Sequence, residues 1–79
     1  MPISGIVIDV APQAQAVVAE RLQAMKQVEL QPERTVSALV AVLDTPDFAA
    51  EQALVEAIQQ LDGVAAVRLA YHNFEDVVQ

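Results

Sequence analysis

The sequence predicts an α+β sandwich in which a four-stranded antiparallel sheet carries two helices on one face. Three observations lead there. A chain of 79 residues has room for a single core. Its apolar residues alternate between strand spacing and helix spacing in the order strand, helix, strand, strand, helix, strand. Its breakers Pro12, Pro46 and Gly63 fall where that spacing changes.

The elements follow in order. Ile3–Val10 is rich in β-branched residues and reads as the first strand. Pro12 suits the first turn of a helix, where its missing N–H is no loss. From Pro12 to about Lys26, Ala14, Val18, Leu22 and Met25 recur at helical spacing. In Val28–Arg34 apolar and polar residues alternate as in a half-exposed strand, and Pro32, which has no backbone donor, points to a sheet edge. Val36–Asp44 is apolar on both faces and reads as a covered strand. Thr45-Pro46-Asp47 opens a second helix, with Thr45 as the expected cap, Pro46 in the first position and Asp47 in the first turn. Ala50, Ala53/Leu54, Ala57/Ile58 and Leu61 line its predicted inner face, and Gly63 suits a left-handed stop. Val64–His72 is the last strand, and residues 73–79 read as a flexible acidic tail of the single domain 1–79. Two right-handed split βαβ units of this kind make a ferredoxin-like βαββαβ sandwich with one sheet face left open.

Composition narrows the function. The 54% hydrophobic content is too high for a disordered chain, and no apolar run reaches the length of a membrane span. The opening residues lack a secretory signal, which implies a cytoplasmic location. The absence of cysteine removes disulfides, thiol catalysis and Cys-ligated metals. The single histidine, His72, has no imidazole partner for a metal site. A formal charge of −7 repels phosphate backbones, disfavouring nucleic acid, and attracts basic ligands. No carboxylate spacing suggests an acid–base pair, and no Gly-rich phosphate loop is present. Acylphosphatase chemistry would need an arginine in the first βα loop, which here is Val10–Gln13. No enzymatic activity and no cofactor are expected.

The open sheet face is the expected ligand surface. Asp9 would be costly under helices, which puts Gly5, Val7 and Asp9 outward in the first strand. The same reasoning puts Ala66, Arg68, Ala70 and His72 outward in the last strand, with Val67, Leu69 and Tyr71 inward. In Val36–Asp44 the alternation is ambiguous; Leu39, Ala41 and Leu43 are taken as outward, with Val40 and Val42 beneath the helices. Small residues would form a shallow floor, and Asp9 could pair with guanidinium groups of a ligand, while Arg68 would either steer the ligand's orientation or pair with Asp9 across the neighbouring strands. A monomer, or a weak dimer covering the same face, is expected.

At the last strand a family resemblance enters. Gly63-Val64-Ala65-Ala66-Val67-Arg68-Leu69-Ala70-Tyr71-His72, followed by acidic residues, is similar to the closing segment of NapD proteins. Ile3–Ile8 is similar to their opening strand, and Leu39–Asp47 fits their third strand and helix start. The resemblance spans nearly the whole chain; its specific part is the Gly-Val to Leu-x-Tyr-His ending. It implies a cytoplasmic chaperone that binds the twin-arginine signal peptide of the catalytic subunit of periplasmic nitrate reductase. Such proteins delay export until the molybdenum cofactor is inserted and bind no cofactor themselves. They hold the peptide on the sheet, which carries over here to Ser4, Gly5, Val7, Arg68, Ala70 and His72. The proline-containing second strand and the short tail depart from the family pattern.

The alternative is an ACT-like small-ligand regulatory or dimerisation module, which shares the element order. Its ligands usually sit near a glycine-containing first loop, and Val10–Gln13 contains no glycine. A metal-transfer domain of this fold would need a Cys-x-x-Cys loop, also missing.

Overall fold

Strand β1, Pro2–Val10, organises the sheet, because it pairs antiparallel with β3 on one side and β4 on the other. The computed structural model describes the backbone of residues 2–74 and the side chains of residues 3–70. Helix α1 is Gln15–Gln23, β2 is Val28–Thr35 and β3 is Ala38–Asp44. Helix α2 is Phe48–Gln59 and β4 is Val64–Phe74. The strand order β2-β3-β1-β4 is that of the predicted ferredoxin-like sandwich.

Local chemistry explains the boundaries. Pro12 opens a short 3-10 turn, Pro12–Ala14, which leads into α1. β2 lies at the sheet edge, and its register with β3 slips between Leu30 and Arg34, around Pro32. A proline removes one ladder donor, and an edge position with a slip accommodates that loss. Gly63 has φ +96°, and a Cβ there would lie 2.5 Å from Ala14 Cβ. This single position therefore favours glycine both for conformation and for close packing on Ala14, at the end of the 3-10 turn, and Val18 of α1. β4 continues to Phe74, two residues past its predicted end at His72.

The core lies between one sheet face and the two helices. Ile6 and Ile8 of β1 and Leu39, Ala41 and Leu43 of β3 meet Val18 and Leu22 of α1 and Ile58 of α2, all at most 1% exposed. This corrects the expected alternation of β3. Leu39, Ala41 and Leu43 face the helices, while Val40 and Val42 are half-buried on the opposite side. The register sets them beside Ile8, Ile6 and Ser4 of β1 in that order. Burying two leucines removes more apolar surface from water than burying two valines, and Asp44 then reaches solvent on the parity of Val40 and Val42.

The cap of α2 is also corrected. Asp47, not Thr45, is the capping residue; its Oδ1 accepts from Ala50 N–H at 2.8 Å. Thr45 is fully buried at the end of β3, and among the described residues its hydroxyl finds no hydrogen-bond partner.

Candidate functional site

The sheet face away from the helices holds a depression of about 460 Å³. Its floor is Val7 of β1 with Val40 and Ala38 of β3, and its rim includes Arg68 of β4 and the β2–β3 turn. Val7 pairs in register with Val40 on one side and Arg68 on the other, which puts apolar surface at the centre. Asp9, two residues along β1, stands between Ala38 and Ala66.

Arg68 grips Asp9 with both arms of its fork. Nε donates to Oδ2 and Nη2 to Oδ1, each at 2.9 Å. The guanidinium beside it holds the Asp9 carboxyl below the usual carboxylate range, first through these hydrogen bonds, against a smaller opposing push from partial burial. The same contact raises Arg68 above its ordinary value. Arg68 is 61% exposed and Asp9 33%, so the pair is accessible to solvent and to an incoming ligand. Such a surface can bind a short apolar segment and exchange one guanidinium partner for another.

The structure assembles part of the expected constellation. Val7, Asp9, Ala66 and Arg68 are together on the open face. Gly5 shares their alternation in β1, opposite Val42 and Tyr71, and is itself buried. Ala70 is exposed at a bulge, where the register slips between Gly5 and Ile6 and leaves it out of the pairing. The backbone register sets His72 opposite Ser4, and the expectation for its side chain lies outside the described residues.

Three expected site residues do not belong to this face. Leu39 and Ala41 are core residues for the reasons given above. Ser4 alternates with Ile6 and Ile8, is fully buried, and donates from Oγ to Glu51 Oε2 of α2 at 2.8 Å. A hydroxyl beneath a helix needs such a partner, and the spacing of Glu51 with Leu54, Val55 and Ile58 was the available signal for it.

A second, smaller depression of about 210 Å³, unsuspected from the sequence, lies between α2 and the outer strand β4. Ile6, Val55, Val67 and Leu69 make it apolar, with Phe48 and Glu51 at its wall. Phe48 and Leu69 remain more than half exposed, a feature that periodicity alone does not reveal. Among the described residues no group of three potential metal ligands comes together, and no helix is long and apolar enough to cross a membrane.

Comparison with known proteins agrees with this geometry. The family model described as NapD protein matches residues 1–76. The solution structure of the E. coli Tat proofreading chaperone protein NapD superposes with a TM-score of 0.81 at 20% sequence identity. That match covers 98% of this chain and 82% of the other. No curated protein matches the sequence.

Proposed function

The chain belongs to the NapD family, and on that premise we propose that it is a chaperone for a twin-arginine signal peptide. In this reading the client is the catalytic subunit of a periplasmic, molybdenum-cofactor nitrate reductase. The chaperone holds the peptide in the cytoplasm and delays export until the cofactor is in place. It performs no catalysis of its own.

One observation carries the proposal: a sheet face that no described residue covers sets two adjacent valines, Val7 and Val40, beside the accessible carboxylate of Asp9. A twin-arginine signal peptide joins cationic side chains to a moderately apolar segment, and this face offers a complement to each half. The net charge of −7 speeds the encounter with a basic ligand. Ordering a flexible peptide costs about 2–5 kcal/mol of the gross interaction, so binding stays reversible, as a hand-over to the export machinery requires. The proposed contacts are Gly5, Val7, Asp9, Val40, Ala66, Arg68 and Ala70.

Calorimetric titration of the protein with a twin-arginine peptide and with its Lys-Lys variant tests this. Saturable binding of the first and weaker binding of the second are expected. Equal, negligible heats for both would end the proposal.

A further inference from the structure

We propose that Arg68 is an internal competitor of the ligand, holding Asp9 in the free protein and surrendering it to a guanidinium of the incoming peptide. The proposal rests on the peptide-binding reading above and concerns what sets the affinity of that face for its ligand. Three observations lead to it.

The first is the contact itself. Arg68 and Asp9 form a two-point fork, both arms at 2.9 Å, inside the depression that would receive the peptide. The second is its accessibility: Arg68 is 61% exposed, so its side chain can swing into water without a core rearrangement. The third is the local charge. The acids at this depression, Asp9 and Glu33, are balanced by Arg34 and Arg68, so the overall acidity of the chain is not expressed there. Within this depression a cationic ligand can pair with the Asp9 carboxylate only when Arg68 lets go.

Selectivity follows from the geometry of the exchange. A planar guanidinium reproduces both bonds that Asp9 loses, whereas an ammonium is a point charge and replaces them poorly. An arginine of the ligand therefore competes with Arg68 on equal terms, and a lysine does not. The preference for arginine thus lies in Asp9 itself, and the intramolecular pair limits affinity for the arginine ligand at least as much as for the lysine one.

The test measures the affinities of the twin-arginine and Lys-Lys peptides for the wild-type protein, Arg68→Ala, Asp9→Asn, the double variant and Arg21→Ala. Arg21, exposed on α1, controls for the loss of one positive charge away from this face. Removing an exposed ion-pair competitor should tighten twin-arginine binding about threefold in Arg68→Ala. Lys-Lys binding should improve by the same factor or less, so that the preference for arginine is kept or widens. Arg21→Ala should shift both peptides alike, and Arg68→Ala should give no gain in the Asp9→Asn background. Weaker twin-arginine binding by Arg68→Ala, or a larger gain for the Lys-Lys peptide than for the twin-arginine peptide, would overturn the competitor role while leaving peptide binding intact. Absence of binding by the wild-type protein and every variant would instead remove the peptide reading, and this role with it.

Discussion

The hydroxyl of Ser4 donates to the carboxyl of Glu51 at 2.8 Å, joining the first strand to the second helix inside the core across 47 positions of sequence. Both residues are at most 6% exposed, so this polar contact lies among apolar neighbours. Hydrogen bonds to such groups count for more than surface ones, because water cannot replace the lost partner. Ser4→Ala should therefore lower unfolding free energy by about 1–3 kcal/mol, read from urea denaturation. A midpoint equal to that of the wild-type protein would show that the contact contributes nothing net.

The alternation of β3 makes a paired prediction. Leu39→Ala removes a fully buried side chain and should cost about 2–5 kcal/mol. Val40→Ala, half-buried on the open face, should cost less than about 1 kcal/mol yet weaken peptide binding. Reversed costs in thermal unfolding would mean that the strand presents its other side to the helices.

Gly63 permits a third test. A Cβ at this position would meet Ala14 Cβ at 2.5 Å and Val18 Cγ2 at 3.3 Å, in a backbone conformation with φ +96° that side chains disfavour. Gly63→Ala should destabilise the protein by about 1–3 kcal/mol. Peptide affinity should hardly change at temperatures where the variant remains folded, since Gly63 does not line the open-face depression. A stability gain would refute the packing explanation.

The Asp9–Arg68 pair predicts a pH effect with a definite sign. The Asp9 carboxyl ionises more readily in the folded protein than in the unfolded chain, because Arg68 bonds its charged form. Its contribution to stability is present above the unfolded carboxyl's pKa and fades as pH falls through the lower, folded value. In Arg68→Ala the carboxyl titration of Asp9, followed by carbon NMR, should move up toward the ordinary range. An unmoved titration would mean that Arg68 is not the cause of the depression.

Much of the molecule was legible in its residues, and the exceptions have physical reasons. Pro12 and Pro46 stand just before the helices, and Gly63, beyond the Gln60 cap that ends α2, immediately precedes β4, so the element order followed directly. Asp9 oriented β1 because charge under a helix is costly. Leu39–Leu43 resisted the same logic, since both sets of alternate residues are apolar and only Asp44, at the strand end, distinguishes them. Thr45 and Asp47 are both good helix caps, and tertiary burial of Thr45 decided between them. The bulge at Ala70 breaks the alternation of β4 after Leu69, and nothing in a run of small apolar residues announces such a slip. The open face therefore keeps Gly5, Val7 and Asp9 of β1 and Ala66 and Arg68 of β4, loses Ser4 to the core, and exchanges the leucine and alanine of β3 for valines.

The outer position of β4 shapes how these molecules treat one another in concentrated solution. Among the described residues its outer margin pairs with no other strand, and it runs beside the trough where Phe48 and Leu69 stay wet, a combination that invites strand-to-strand association between copies. At neutral pH the seven surplus negative charges keep copies apart. Near the isoelectric point of about 4.2 that mutual repulsion vanishes. Mild acid should thus cause clouding near that pH while the individual fold is still intact, which light scattering and circular dichroism read side by side would check.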